Sequence, residues 1–341
     1  MKKIFFLPLL ILGIFLTSCE GDDNSEENEM EDPIPTGLEF TFITSTTTAN
    51  GSLLSTNGGM TSSENRNSLY FSERDKGTEV VKTYNISTNT WSTNIYEESQ
   101  FVTKRLHIIN DRLLVLGGQY INIYDLPVDG DPVVTNFHDL KYSKYSSAAK
   151  DQNIYFLGNE NNIDGTNQDT GLLKRYNVSD NQFSDIATFT DAKLDASAEI
   201  VGNTYYVFGG SNNFPLALYS DFNTTISKVD LTSGSVSTLN IMPEKPIRVY
   251  TAKKGSFIYV GYETRTDTNG DGDAAGDDKT INFGIYNTQD NSFTVLDHNL
   301  DDSDLYSSIS NIEIINNKLY VSYGNPQFGS NEVNIFAADL Q

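Results

Sequence analysis

One short apolar phrase recurs six times along the chain, and this repeat constrains the fold more than any other feature. Each copy is a run of aliphatic and aromatic residues, and four of the six copies end in glycine. The copies are Leu69–Phe71, Leu113–Gly118, Ile154–Gly158, Tyr205–Gly210, Ile258–Gly261 and Leu319–Val321. Short apolar runs bounded by glycine predict β-strands, and repetition at about 40–60 residues is typical of arrays of one structural unit.

Two further phrases accompany the first one. A bulky residue, a turn-rich tetrad and a second bulky residue follow most copies, which predicts a tight hairpin. The paired residues are Tyr84 with Trp91, Tyr176 with Phe183, Val229 with Val236 and Tyr286 with Phe293, whereas unit two, from Tyr124 to Val133, is longer. A third apolar phrase, as in Ala198–Val201 and Ile312–Ile315, precedes the first phrase across a tight turn. Each unit is therefore predicted to be a meander of four strands.

Six such sheets predict an all-β fold, a six-bladed β-propeller of four-stranded antiparallel blades, over residues 38–341. One sheet cannot bury both of its faces alone, but six stacked radially can. The last unit has a third strand at Glu332–Ala337 and no fourth after it, while Leu38–Ile43 alternates like a lone strand. We therefore expect the N-terminal strand to complete the last blade, because ring closure protects its exposed edge.

The order of these phrases resembles the Kelch repeat. The resemblance covers roughly residues 40–341 and rests on the apolar strand ending in Gly209-Gly210, on Tyr84-Asn85 and on Trp91. The diglycine recurs only at Gly117-Gly118, and tryptophan occurs only at Trp91, so the pattern departs from the Kelch consensus. The resemblance implies a Kelch-like propeller. Some six-bladed Kelch propellers epimerise or oxidise sugars at the channel mouth.

The N-terminus predicts a bacterial lipoprotein. Lys2 and Lys3 precede an apolar run from Ile4 to Leu16, which is too short to span a bilayer comfortably but suits a signal peptide. The sequence Leu-Thr-Ser-Cys ending at Cys19 resembles a lipobox, and Cys19 is the only cysteine of the chain. The resemblance implies cleavage before Cys19, lipidation of Cys19 and anchoring to the outer membrane. The alternative is an ordinary secretory signal with a chance cysteine.

Residues 19–37 are predicted to be a lipidated cysteine followed by an acidic tether. Residues 20–32 contain eight acidic residues and no basic one, a composition that favours an extended, solvated segment. Such a cluster resembles signals for display on the cell surface in some Gram-negative lineages. A periplasm-facing anchor stays open as the alternative. The domain prediction is thus residues 1–18, 19–37 and 38–341.

Long connections are predicted to lie on one face of the ring. In a four-stranded blade, the second-to-third connection opens on the same face as the connection between blades. These loops are long in units three to six, where they run over Gly158–Gly171, Gly209–Thr225, Gly261–Thr280 and Gly324–Asn331. Long loops on a rigid scaffold are where binding function usually resides. Neutral insertions are the alternative.

The loop of unit five predicts a calcium site. Its residues 267–278 place oxygen-bearing side chains at alternate positions with Gly272 at the sixth, as in an EF-hand loop. The candidate ligands are Asp267, Asn269, Asp271, Asp273 through its carbonyl, and Asp278. Asp replaces Glu at the twelfth position, and flanking helices are missing from the pattern. A solvated acidic hairpin tip is the alternative to structural calcium.

Candidate ligand-binding residues lie in the unit-four loop and at the beginnings of the innermost strands. Phe214 and Tyr219 stand among small polar residues, a composition that suits either stacking on a carbohydrate or packing of the loop on itself. Arg105, Tyr145, Arg248 and Tyr250 are predicted at the channel mouth, where bases and acids alternate. An anionic ligand or a charge-balanced rim would explain them.

The chain favours binding over catalysis. Its formal charge of −23 argues against nucleic acid as a partner, because phosphate backbones require a basic surface. It carries no nucleophile elbow, zinc-protease or phosphate-loop motif. We expect a monomeric module that binds a glycan or an envelope protein partner through the loop-rich face. A sugar-modifying enzyme of the mutarotase or epimerase kind, acting at the channel mouth, is the alternative.

Overall fold

A computed structural model describes residues 34–47, 59–75, 78–96, 105–116, 120–137, 141–159, 171–190, 196–211, 218–268, 270, 272, 278–301, 308–324 and 332–340. Side chains are described for all of these except 73–75, 120, 137, 141–145 and 158–159. Among the described residues, the only helices are two single 3-10 turns, Glu64–Arg66 and Tyr219–Asp221. No helix in this part of the chain is both long and apolar enough to cross a membrane.

The first three blades are four-stranded antiparallel sheets in simple sequence order. Blade one comprises β3 (Gly59–Ser63), β4 (Ser68–Asp75), β5 (Thr78–Asn85) and β6 (Thr90–Tyr96). Blade two comprises β7 (Arg105–Ile109), β8 (Arg112–Leu116), β9 (Tyr120–Asp125) and β10 (Val134–Phe137). Blade three comprises β11 (Lys141–Lys150), β12 (Asn153–Asn159), β13 (Leu172–Asn177) and β14 (Gln182–Thr188).

The last three blades repeat this order, with the N-terminal segment added to two of them. Blade four comprises β15 (Ser197–Val201), β16 (Thr204–Phe208), β17 (Thr225–Asp230) and β18 (Val236–Asn240). Blade five comprises β19 (Arg248–Lys254), β20 (Phe257–Thr266), β21 (Asp278–Asn287), β22 (Ser292–His298) and the short β1 (Gly37–Leu38). Blade six comprises β23 (Ser308–Ile315), β24 (Lys318–Gly324), β25 (Glu332–Asp339) and β2 (Thr41–Thr47).

The three sequence phrases correspond to defined strands, which confirms the six-bladed propeller. The recurrent phrase forms the second strand of every blade, and the third phrase forms the innermost strand. Tyr84 faces Trp91 across the hairpin of blade one, and Tyr176 faces Phe183 in blade three. The same register holds for the other two predicted pairs. The spacing of the bulky residues thus sets the register of these hairpins.

The six blades close into a ring. Each innermost strand contacts the innermost strand of the next blade, and β23 of the last blade contacts β3 of the first. Six clusters of buried apolar side chains fill the six junctions between neighbouring blades. The core is therefore distributed around the ring, and the innermost strands of the six blades surround a central channel.

The N-terminal strand completes the last blade, as predicted from the missing fourth strand. β2 pairs antiparallel with β25 of blade six. The predicted lone strand over 38–43 is nevertheless wrong in its bounds, because the segment forms two strands. Phe40, which is buried, interrupts the pairing: its N–H donates to the side-chain oxygen of Asn299 at 2.7 Å, and its carbonyl accepts from the Asn299 amide at 3.1 Å. β1 instead pairs in parallel with β22 of blade five.

The long connections between strands lie on one face of the ring. The second-to-third connections of blades three to six are the segments 160–171, 209–224, 267–277 and 325–331, whereas blade one uses only residues 76 and 77. The loop predicted over Gly261–Thr280 is too wide, because β20 and β21 stay paired as far as Thr266 and Asp278. On the opposite face most turns have two to five residues, several of them with asparagine at positive φ. We call the two sides the loop-rich face and the short-turn face.

Candidate functional site

Polar side chains from the innermost strands converge in the middle of the channel, some of them buried and others partly or fully exposed. Five of them are titratable or charged, and we call them the channel cluster: Arg105, His107, Glu199, Lys253 and Glu313. They come from β7, β15, β19 and β23, so that four of the six blades contribute. Blades one and three add hydroxyl groups, Ser62 and Ser147.

Arg105 and Glu199 meet across the channel from blades that are not neighbours. Arg105 begins β7, has a relative exposure of 6%, and places Nη2 3.8 Å from Glu199 Oε1. The hydroxyl of Thr251 lies 3.4 Å from the same carboxylate oxygen and 2.8 Å from the hydroxyl of Ser197. Blades two and five thus both contact the carboxylate of Glu199, which belongs to blade four.

Lys253 and Glu313 complete the ring of charges. Lys253 Nζ donates to the carbonyl of Ile200 at 2.7 Å, which ties blade five to blade four. Ser62 donates to Glu313 Oε2 at 3.2 Å across the junction between the first and last blades. Lys253 is exposed and Glu313 is partly exposed, so solvent reaches the cluster.

His107 is a neutral member of the cluster. Its Nε2 lies 2.8 Å from the hydroxyl of Ser147, and its side chain is buried. Burial, followed by the nearby charges of Arg105 and Lys253, lowers the pKa of His107 well below its usual value. The imidazole is therefore uncharged at neutral pH.

The two carboxyl groups hold their protons more tightly than usual. Enclosure in the channel, followed by the charge of Glu199, raises the pKa of Glu313 to about 8. Burial also raises the pKa of Glu199, an effect that the charges of Lys253 and Arg105 oppose. Glu313 is thus largely protonated at neutral pH. A protonated acid close to a second carboxyl group can donate a proton to a ligand in the channel or accept one from it.

The loops of blades four and five contact each other on the loop-rich face. The backbone N–H of Tyr219 donates to the carbonyl of Gly272 at 3.1 Å, and Lys245 Nζ donates to the carbonyl of Tyr219 at 3.2 Å. The carboxylate of Asp267 accepts from the N–H groups of Gly270 at 2.6 Å and Gly272 at 3.1 Å. These bonds organise the beginning of the blade-five loop, residues 267–277, and connect it with the blade-four loop, residues 209–224.

Comparison with known proteins supports the fold alone. No family model matches the chain, and no curated protein shows significant similarity to it. Among solved structures, that of YjhT is similar to this chain with a TM-score of 0.57 and a sequence identity of 11%, covering 82% of this chain and 92% of that one.

Arg105, Arg248 and Tyr250, predicted together at the channel mouth, lie in three different environments. Arg105 belongs to the channel cluster. Arg248 Nη1 lies 3.4 Å from Glu263 Oε2 and from the hydroxyl of Ser308, and therefore connects blades five and six where β19 begins. Tyr250 is buried in the apolar cluster between these blades, with a relative exposure of 2%. Its ring contributes to packing of the junction.

The remaining predicted residues are only partly described. Asp267 and Asp278 are exposed, and Asp278 begins β21 opposite Thr266. Cys19, Phe214, Asn269, Asp271, Asp273 and the side chain of Tyr145 lie outside the described residues. Within the described ranges, His, Cys, Asp and Glu side chains form no group of three suited to hold a metal ion. The calcium loop therefore stays a prediction.

Sequence reasoning missed four of the five members of the channel cluster. Glu199 and Glu313 each interrupt an apolar phrase, in Ala198–Val201 and Ile312–Ile315. An acidic residue inside an apolar strand predicted to be innermost is a signal that could have found both. His107 and Lys253 carry no such signal, because they become significant only through the neighbours that the ring supplies.

Proposed function

We propose that this protein is a lipid-anchored module of the cell envelope that binds a glycan or protein partner through its loop-rich face. The observation that carries the proposal is the one-sided distribution of chain length: four consecutive blades have long second-to-third connections, while the turns of the opposite face are mostly short. Functional residues are concentrated on loops that a rigid scaffold positions. The contacts between the blade-four and blade-five loops support a joint surface.

The experiment compares ring variants whose loops are shortened on one face only. Residues 160–170 and 325–331 are replaced separately by Lys-Gly, the two-residue connection that blade one uses. As a matched control, residues 231–235 of the short-turn face are replaced by Ile86–Asn89, the corresponding turn of blade one. Binding to a glycan array and to solubilised envelope proteins should fall for the loop-rich variants and persist for the control. Equal binding by all three variants and the wild type would refute the proposal.

The anchor and its side of the membrane are part of the proposal. The lipobox-like sequence before Cys19 supports lipidation, and the acidic residues 20–32 support a tether that holds the ring away from the outer membrane. Metabolic labelling with a fatty acid should label the wild type and leave Cys19→Ser unlabelled. Protease treatment of intact cells then distinguishes the cell surface from the periplasmic side. Labelled C19S would exclude the anchor.

A second candidate function is a sugar-modifying enzyme whose site is the channel. The perturbed pKa values of Glu199, Glu313 and His107 favour it, because acid–base catalysts are often groups of this kind. The Kelch-like sequence order agrees with such a role. Exchange between sugar anomers, followed by NMR, should then be accelerated by the wild type and not by Glu313→Ala. Lack of acceleration across neutral and acidic sugars would leave binding as the function.

A further inference from the structure

The channel cluster contains a buried guanidinium whose donors are not all used by the described residues. The shortest ion-pair distance of Arg105, 3.8 Å to Glu199, is longer than a hydrogen bond. Its Nε is buried and has no hydrogen-bond partner among the described residues. A guanidinium offers five N–H donors, and burying a charged group without acceptors is costly. Arg105 therefore has donors left for an acceptor in the channel.

The charges around Arg105 do not cancel at neutral pH. Among the side chains that the structure describes in the cluster, Arg105 and Lys253 are the two cations, and Glu199 and Glu313 are the two acids that face them. Glu313 is largely protonated at neutral pH, since its pKa is about 8. His107 is neutral and adds no charge. The middle of the channel is thus positive, although the whole chain has a formal charge of −23.

We propose that the middle of the channel binds a small oxyanion, such as a carboxylate or phosphate group, between Arg105 and Lys253. Guanidinium groups form paired hydrogen bonds with both kinds of anion, and an ammonium group adds a second charge. The hydroxyl groups of Ser62 and Thr251 line the same space. Solvent reaches Lys253, Glu199 and Glu313, so a small anion can reach the site as well. The anion site uses no residue of the long loops, so a test of it is independent of the partner proposed for the loop-rich face.

Glu313 makes the site sensitive to pH. Its carboxyl group is influenced by Glu199, Arg105 and Lys253 and accepts a hydrogen bond from Ser62. As the pH rises through about 8, Glu313 becomes ionised and the cluster then has as many negative as positive charges. The bound anion loses its electrostatic advantage, and its affinity should fall. Protonated Glu313 favours binding, so the site should be occupied at neutral and mildly acidic pH.

The test is isothermal titration calorimetry of the intact chain with sodium acetate and, separately, inorganic phosphate. Sodium chloride at equal ionic strength is the reference. The wild type should bind at least one of the two anions saturably at neutral pH, and Arg105→Met should weaken that binding by at least about tenfold, as expected for a lost charged hydrogen bond. Acetate alone would identify a carboxylate site, and phosphate alone a phosphate site. Lys254→Met, on the same strand as Lys253, is the matched control and should bind like the wild type.

Two results would overturn the proposal. One is heat equal to that of chloride for both anions, and the other is equal affinity of R105M and the wild type. Glu313→Gln provides a second route should R105M fail to fold, because glutamine keeps the shape of the protonated acid. The wild type should lose affinity between neutral pH and about pH 9, whereas E313Q should keep it. A parallel loss in both proteins would contradict the assignment.

Discussion

The guanidinium of Arg105 lies 3.8 Å from the carboxylate of Glu199, although the two residues belong to blades two and four. The innermost strand of blade three lies between these blades in the ring. The pair therefore reaches past blade three and requires blades two, three and four to be packed together. The other charged groups of the channel cluster, Lys253 and Glu313, come from blades five and six, so the packing of the blades assembles the cluster.

The first prediction concerns stability and pH. The folded-state pKa of Glu313, about 8, is raised above its ordinary value of 4.5. The folded protein therefore binds this proton more tightly, so the contribution of Glu313 is complete below about pH 4.5 and is lost as the pH rises through about 8. The slope for one proton is at most about 1.4 kcal/mol per pH unit. Denaturant unfolding at several pH values should show this loss in the wild type.

Glu313→Gln removes the titrating group and should flatten that part of the profile. Glu39→Gln is the matched control, because Glu39 is exposed outside the ring junctions. If E313Q and E39Q follow the wild-type profile equally, Glu313 does not carry the proton.

A second prediction concerns ring closure. The N-terminal strand β2 is bound to blade one as well as to blade six, since Lys82 donates to the carbonyl of Thr47 and the Trp91 indole donates to the hydroxyl of Thr44 at 3.2 Å. Deleting residues 34–47 exposes the edge of β25 and removes these bonds. The variant should melt at a lower temperature and aggregate, as exposed strand edges do. Deletion of residues 20–32 is the control and should leave the melting temperature unchanged. An unchanged melting temperature and no aggregation after deletion of residues 34–47 would contradict this role of β2 in ring closure.

A third prediction separates the two roles of Asn291 in the hairpin of blade five. Its φ is +61°, and its side-chain oxygen accepts from the hydroxyl of Tyr286 at 2.8 Å and from Lys228 at 2.8 Å. Asn291→Gly keeps the backbone conformation and loses the hydrogen bonds, at a cost of about 1 kcal/mol or more. Asn291→Ala should cost about 1 kcal/mol beyond N291G, because alanine is strained at positive φ. Equal unfolding free energies for N291G and N291A would show that the turn imposes no such strain.

A fourth prediction tests the acidic loop of blade five. Calcium at millimolar concentration should raise the melting temperature of the wild type, and Asp271→Ala should abolish this rise. Asp267→Ala should in addition lower the melting temperature without calcium, because the Asp267 carboxylate accepts two backbone N–H groups. Differential scanning calorimetry with and without a chelator makes the comparison. An unchanged wild-type melting temperature would mean that the loop holds no calcium.

The sequence predicts the blades better than it predicts the site. The period of the repeat, the register of the hairpins and the missing fourth strand of the last unit can all be read from local or repeated patterns. The pairing of Tyr176 with Phe183, for example, follows from their spacing alone. The channel cluster depends on which residues the ring brings together across its axis, and spacing along the chain carries no information on that. Tyr250 illustrates the limit: successive strand residues point to opposite faces, and its side chain faces the junction with blade six.

The N-terminal segment shows a second limit. Alternation over Leu38–Ile43 predicts one strand, yet Asn299 binds the backbone of Phe40 on both sides and divides the segment between blades five and six. This contact joins residues that are far apart in the sequence. Local pattern reasoning cannot identify such a partner before the ring is known.

The most direct test of the proposed binding face is site-specific photo-crosslinking in whole envelopes. A benzophenone amino acid replaces Leu218, an exposed residue of the loop-rich face, or Ser233, an exposed residue in a turn of the short-turn face. We expect a discrete crosslinked partner from position 218 and none from position 233. A partner captured only from position 233 would contradict this expectation.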